Sequence, residues 1–358
     1  MRAREAIELL ARLIAVPSPS REEAGTADII YEWLAERGAS PRRTANNVWA
    51  VAPGFDPRRM TLLLNSHHDT VRPVASWTRD PHAPVIEDGR LYGLGSNDAG
   101  ASAVSLLATF MELRERPLAF NLVVAITAEE EVGGEGGMRR FVPELEALGS
   151  AALCAIVGEP TGMQPAVAER GLVVLDAVTR GVSGHAARHE GINAIGRAIR
   201  DIEALTSAHF PGVSPTLGPV SINVTGIQAG TVHNVIPDRC TWMVDVRTTD
   251  ILSNEATVEL LRSTLSPDTT ITPRSTRIRA SVIPPTHPLV EAAVGVGGKP
   301  FVSPTTSDMS LMPFPSLKIG PGDSARSHRA DEYILLSEIE EAIPQYINLI
   351  TSLNRILK

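Results

Sequence analysis

Met60-Thr61-Leu62-Leu63-Leu64 runs straight into Asn65-Ser66-His67-His68-Asp69-Thr70. The first five residues are a short, largely apolar run that reads as a buried strand. The next six carry two imidazoles and a carboxylate. The same juxtaposition recurs along the chain. Leu122–Ile126 (LVVAI) leads to Thr127-Ala128-Glu129-Glu130-Glu131-Val132-Gly133. Leu153–Val157 leads to Gly158-Glu159-Pro160, and Ser316–Ile319 leads to Gly320-Pro321-Gly322-Asp323 with His328 beyond. The Gly-rich Tyr92-Gly93-Leu94-Gly95-Ser96-Asn97 ends on Asp98, and Ala101–Leu113 is apolar at helical spacing. Buried strands alternating with helices predict an α/β layer with a mixed, partly parallel sheet flanked by helices. In such sheets ligands bind outside the carboxyl ends of the strands, so five acid or imidazole clusters converge on one crevice.

Outward from this centre the texture changes. At the start, Ala6, Leu9, Leu10, Leu13 and Ile14 share one side of an amphipathic helix that Pro17 ends. Ser20 with Glu23 forms a capping box for a second helix, through about Glu36 and closed by Gly38. From about Gly171, Leu172–Arg180 alternates with strand period. A helix follows over Asn193–His209, then strands over Val220–Thr225 and Cys240–Arg247 and a helix over about Glu255–Leu265. That order is the βαββαβ of a ferredoxin-like α+β unit. Val282–Pro304, rich in Pro and Gly, returns the chain to its first domain, and Tyr333–Leu357 reads as a long terminal helix. Residues 1–170 and 285–358 are therefore expected to form one discontinuous α/β domain. Residues 171–284 are expected to form an inserted α+β domain.

The chain has 358 residues, enough for two domains and for a core that needs no covalent staples. Its net charge of −8 and its 4% of aromatic residues exclude a nucleic-acid surface or an anionic-membrane surface. Cys154 and Cys240 lie in apolar runs and read as buried, reduced thiols. No stretch reaches the roughly 18 apolar residues of a membrane span, and the charged N-terminus is no secretory signal. A cytoplasmic protein is expected.

Taken singly, these clusters are commonplace. A strand-end acid usually caps a helix, a lone histidine is usually structural, and three consecutive glutamates usually face solvent. Their joint occurrence after apolar strands suits a pair of divalent metals, zinc or cobalt more than magnesium. A carboxylate with two oxygens can bridge two ions about 3.5–4 Å apart.

In this ordered set the chain resembles the M20 co-catalytic zinc peptidases and deacylases. That family includes acetylornithine deacetylase, succinyl-diaminopimelate desuccinylase and the bacterial glutamate carboxypeptidases. The resemblance runs from His67-His68-Asp69-Thr70-Val71 to Ser327-His328-Arg329-Ala330-Asp331-Glu332-Tyr333. It implies His67, Asp98 and Glu159 on one zinc ion and Asp98, Glu131 and His328 on the other. Asp69 would orient His67, and Glu130 would be the general base. In the inserted domain, Ser183-Gly184-His185-Ala186 resembles the family's GH element, whose histidine reaches the substrate carbonyl, often across a dimer. His233-Asn234-Val235-Ile236-Pro237 resembles its NxIP turn, with Asn234 on the substrate side. Arg247 resembles the arginine that grips a substrate carboxylate. Thr306-Ser307-Asp308 resembles a further substrate-proximal loop, with Ser307 as its contact.

The reaction so implied is hydrolysis of a linear amide by a dizinc-activated water. Tyr92–Gly100 (YGLGSNDAG), Val157–Met163 (VGEPTGM) and Ile319–Tyr333 look most like acetylornithine deacetylase-type enzymes of arginine biosynthesis. The substrate would be a small N-acyl amino acid. The resemblance further implies that residues 1–170 and 285–358 are the zinc-peptidase-like, metal-binding catalytic domain and that 171–284 is a lid and dimerisation domain, through which a homodimer forms. A succinyl group would need another cation, for which Arg72, Arg188, Arg326 and Arg329 are candidates. Lysine-pathway deacylation and dipeptide cleavage are the alternatives, as is an inactive binding protein on the same fold. Three features depart from the family pattern. Ser66 replaces the glycine before the first ligand. Ala99-Gly100-Ala101 follows Asp98 where x-Lys-Gly is usual. The run of three glutamates also leaves Glu129 as an alternative base, with Glu130 then the ligand.

Overall fold

The computed structural model describes residues 3–188 and 190–358. The strand Thr61–His67 is buried along its whole length. It pairs in parallel with Asn121–Thr127 on one side and with Leu153–Val157 on the other. Leu153–Val157 pairs in parallel with Ser316–Lys318. These four strands run the same way, so their carboxyl ends lie on one edge. Antiparallel strands flank them: Asn47–Val51 against Asn121–Thr127, and Ala166–Glu169 against Ser316–Lys318.

Side chains alternate between the two faces of this sheet, and both faces are covered, as a parallel sheet requires. Leu62, Leu64, Leu122, Val124, Ile126, Ile156 and Leu317 belong to one apolar cluster, built against the helices Ala3–Ile14, Ala101–Leu113 and Leu336–Ile356. Leu63, Val123, Ala125, Ala155 and Val157 belong to the other, with Phe141 of the helix Met138–Glu146. There Phe141 meets Trp49 edge-on, with centroids 5.6 Å apart. Burying a leucine of this kind contributes about 1.5–3 kcal/mol. The apolar runs thus hold the strand ends in place.

The chain divides into two compact units. One runs to Val167 and resumes over Val282–Ser303 and Ser307–Lys358; the other is Ala168–Ser281 with Pro304–Thr306. Taken by itself, the second unit has a four-stranded sheet in the order Ser221–Ala229, Arg239–Thr248, Gly171–Arg180, Thr269–Pro273, all antiparallel. With its helices Ala194–Thr206 and Asn254–Ser263 the order along the chain is βαββαβ, the expected ferredoxin-like arrangement. Every second residue of Arg239–Thr248 is buried, and Cys240, Trp242, Val244 and Val246 form its core with Val173, Leu175 and Ala177. Both cysteines are free and buried, and burial pushes the Cys154 thiol up to about 12.

Two local expectations are corrected. The terminal helix starts at Leu336 because Tyr333–Leu335 is a strand paired with Arg90–Tyr92. The Ser20–Glu23 capping box does not form: the helix Ala24–Glu36 has no side-chain cap, and both residues are engaged elsewhere.

Candidate metal centre

His67 is the last residue of its strand and is 1% exposed. Its Nδ1–H donates to the Asp69 carbonyl at 2.9 Å, which turns Nε2 inward. That nitrogen is buried without a hydrogen-bond partner. It faces Asp98 Oδ1 at 3.4 Å and Glu159 Oε1 at 3.8 Å. The other oxygen of Asp98 faces His328 Nε2 at 3.5 Å, and His328 Nε2 also lies 2.9 Å from Glu131 Oε2. One carboxylate therefore stands between two ligand sets. Ligand atoms of His67, Glu130 and Glu159 lie within 4.8 Å of one another, as do those of His67, Asp98 and Glu131.

These residues reach the cluster by different routes. Glu159 and the Glu130-Glu131 turn follow the ends of parallel strands, as expected. Asp98 does not. It sits in the turn Ser96–Gly100 that enters the helix Ala101–Leu113, after a short strand of a separate three-stranded sheet. His328 lies well beyond Ser316–Lys318, on a turn where its φ is +58°. Such a left-handed conformation in a non-glycine residue costs of order 1 kcal/mol or more and needs support from its surroundings.

Asp69 does more than face His67, whose Nδ1 is 3.5 Å from its Oδ1. Its carboxylate accepts the backbone N–H of Glu130 at 3.0 Å and of Glu131 at 3.2 Å, and the Ser20 hydroxyl at 2.7 Å. Glu23, fully buried, accepts the N–H groups of Arg21 and Glu129 and the Asn46 amide. The supposed capping pair therefore supports the glutamate turn instead. Glu129 points away from the cluster, since its carboxylate fills the space where side chains at Gly134 and Gly136 would lie. His68 is buried between Thr26 and the Asn46 carbonyl, and burial lowers it to about 4, so it is neutral. Asp308, which the sequence marks only as the end of the Thr306-Ser307-Asp308 loop, lies buried nearby and accepts the Thr127 hydroxyl at 2.7 Å.

Electrostatically the cluster is short of positive charge. Burial raises the Glu159 carboxyl to about 8, opposed by His67 and reinforced by Asp98. Burial also raises Glu130 well above the usual carboxylate range, opposed by His67 and reinforced by Glu159, Asp308 and Glu131. Its hydrogen bond to Glu131 lifts His328 to about 9. Burial opposes a charge on His67, but Asp69, Asp98 and the nearby glutamates together raise it well above its ordinary value. Divalent cations would supply the missing charge and displace those protons. Two ligands about 2 Å from a tetrahedral ion stand roughly 3.3 Å apart, close to the His67–Asp98 and His328–Asp98 separations. The orphaned His67 nitrogen, the acid-rich donor set and these spacings fit a pair of metal ions.

Residues 63–352 match the model of peptidase family M20/M25/M40. The chain belongs to that family. It is 29% identical to an acetylornithine deacetylase of Shigella sonnei, with 92% of each chain covered. It is 28% identical to a succinyl-diaminopimelate desuccinylase of Halorhodospira halophila, with 97% of this chain and 98% of that one covered. Among solved structures, an aminopeptidase from Bacillus cereus superposes with a TM-score of 0.78 at 17% identity, over 99% of both chains. A dinuclear metal-binding M20 peptidase from Bacillus subtilis gives 0.72 at 18%, over 99% of this chain and 98% of that one. The protein is accordingly an M20-family amidohydrolase with an α/β fold. Among its described residues, no helix is long and apolar enough to cross a membrane.

One departure from the M20 pattern matches the packing around it. A Cβ at Gly100 would stand 2.4 Å from the Gly95 carbonyl oxygen and 2.6 Å from Leu10 Cδ1. No lysine fits there without moving backbone.

The second unit of this M20 member brings two expected residues together. Gly184–His185 pairs with Val235–Ile236, and the Ala186 N–H donates to the Asn234 carbonyl at 3.1 Å. His185 is exposed, and its Nδ1 accepts the Ala187 N–H at 3.2 Å. A neutral ring then carries its proton on Nε2, as a donor. Arg247 is engaged locally: Nε and Nη2 donate to the two oxygens of Asp245 at 2.8 and 3.1 Å. In the first unit, Ser307 is buried and its Oγ accepts the Met309 N–H as a helical cap. Of the cations considered for a succinyl pocket, Arg72 is paired with Glu22 at 2.6 Å and Arg326 with Glu338 at 2.7 Å. Arg188 and Arg329 are exposed.

Proposed function

We propose that this amidohydrolase removes an N-acyl group from an amino acid such as ornithine, with acetyl the preferred acyl group, as a cytoplasmic step of arginine biosynthesis. The observation that carries the reading is the Asp98 carboxylate, with one oxygen toward His67 and the other toward His328. His67, Asp98 and Glu159 would hold one divalent ion, and Asp98, Glu131 and His328 the other, zinc ahead of cobalt. When bound, the ions supply Lewis acidity that polarises a scissile carbonyl and acidifies a water.

The remaining chemistry belongs to side chains. Glu130 takes the water's proton and passes it to the leaving amine. Asp69 keeps Glu130 in reach through its backbone N–H, so the base is placed before substrate arrives. His185 donates from Nε2 to the oxygen that gains charge, a contribution worth a few kcal/mol in comparable sites. Arg247 exchanges Asp245 for the substrate carboxylate, and Asn234 and Ser307 bind the polar groups around the amide. The second unit also carries the contact of a homodimer. Its exposed Val182, Ile192, Val232 and Val235 support that role.

The relative named as an acetylornithine deacetylase supports an acetyl substrate. The pairing of Arg72 and Arg326 disfavours a second carboxylate in the acyl pocket. Comparing kcat/KM for N-acetyl-ornithine, N-succinyl-ornithine, N-succinyl-diaminopimelate and simple dipeptides tests the reading. N-acetyl-ornithine should lead by tenfold or more; preference for a succinyl substrate or a dipeptide would overturn it.

A further inference from the structure

Glu332 has no place in the reaction above, yet it is 3% exposed and carries an unusual set of bonds. Its Oε1 accepts the N–H groups of Asn97 at 2.8 Å and Asp98 at 2.9 Å, and its Oε2 accepts the N–H of Gly95 at 3.1 Å. Its own carbonyl accepts the Gly93 N–H at 3.0 Å. The turn that delivers Asp98 is thus wrapped around one carboxylate, in the manner of a backbone anion nest. Gly95 makes the turn possible: its φ is +75°, and a Cβ there would sit 2.6 Å from the Thr70 methyl.

The same carboxylate fixes the other side of the centre. Glu332 lies four residues after His328, and its neighbour Asp331 anchors the intervening turn as well. Asp331 accepts the N–H and hydroxyl of Thr78 and the N–H of Arg79, at 3.0, 2.6 and 3.1 Å. Asn97 ties the two segments again: its side chain donates to the Asp323 carbonyl at 3.1 Å and accepts the Asp323 N–H at 3.0 Å. Asp98 and His328, more than two hundred residues apart, are thereby set 3.5 Å from one another. Asp98 does not follow a parallel strand as His67 and Glu159 do, so its placement depends on this clamp.

We infer that Glu332 is a positioning residue of the metal centre: its carboxylate, closed on the amides of Gly95, Asn97 and Asp98, aims the Asp98 side chain and docks the His328 turn against it. The inference rests on the two-ion reading of the site. It predicts that losing the clamp weakens metal binding even though Glu332 touches no ion. Partners that orient ligands in this way are typically worth about 10–100-fold in metal affinity.

The test measures zinc affinity of metal-free protein by competition with a chromophoric chelator, together with amide hydrogen exchange, for wild type, Glu332→Ala, Glu332→Gln and Asp201→Ala. Asp201 is a buried carboxylate of the second unit bonded to Ser266 and Thr269, and it serves as a control for general destabilisation. Glu332→Ala should bind zinc about 10–100-fold more weakly and exchange the Gly95, Asn97 and Asp98 amides faster. Glu332→Gln keeps one acceptor oxygen for Asn97 and Asp98 and should fall between. Should the alanine variant not fold, the glutamine variant reads the same affinities. Asp201→Ala should lose thermal stability at unchanged zinc affinity. Zinc affinity in both Glu332 variants within twofold of wild type overturns the inference alone, as does an equal loss in Asp201→Ala. A wild type that takes up no zinc overturns the two-ion reading and the inference with it.

Discussion

His67 ends a fully buried parallel strand, its Nδ1 bonded to a backbone carbonyl and its Nε2 set against two carboxylates. His185 stands exposed on a two-residue strand of the second unit, its ring bonded to the amide two residues on. The same contrast separates Asp98 and Glu130, whose backbone amides are held by buried carboxylates, from Asn234 and Arg247. Burying several acids beside two imidazoles costs free energy, and only a rigid frame keeps them from turning away. A metal centre needs that frame. A group that meets substrate needs reach and a free donor, so local bonds suffice.

Substitutions can break the comparison, beginning with those of largest effect. Asp98→Ala removes a ligand from both sets and should abolish tight zinc binding and turnover together; metal analysis that still finds two ions per chain would separate Asp98 from the centre. Glu130→Gln should keep its zinc and lose about 10²–10⁴-fold in kcat, the usual worth of a general base. Glu129→Ala should stay within tenfold in kcat. The opposite ranking would move the base by one residue. Arg247→Lys, in the second unit, should raise KM roughly tenfold with kcat and zinc affinity unchanged, because lysine gives up the bidentate fork. Smallest of all, Trp242→Phe deletes the indole donor to Thr179 Oγ1 at 3.0 Å. A loss of about 1 kcal/mol in urea unfolding is expected, at unchanged zinc affinity.

The sequence reveals these two regions unequally. His67, Glu131 and Glu159 are legible because each follows an apolar run, and strand direction alone gathers such ends. Asp98 and His328 follow no parallel strand directly; their place along the chain put them among the five clusters, and motif resemblance alone gave them ligand roles. The supporting bonds were hidden by distance along the chain. Ser20 and Asp69 are separated by 49 positions, and Glu332 and Gly95 by 237. Locally, Ser20-Arg21-Glu22-Glu23 satisfies a capping pattern, and nothing nearby signals that tertiary partners outcompete the helix end. Tyr333–Leu335 likewise has the composition of a helix start, and only its pairing with Arg90–Tyr92 makes it a strand. The second unit was legible as a fold from its alternation, while the Asp245 partner of Arg247 required side-chain positions.

The central claim is that buried strand ends and one two-sided carboxylate hold a pair of ions before substrate arrives. Calorimetric titration of metal-free protein with zinc tests it most directly. The account predicts two tightly bound ions per chain in the wild type and loss of tight binding in Asp98→Ala. One ion, none, or a stoichiometry indifferent to Asp98 would contradict it.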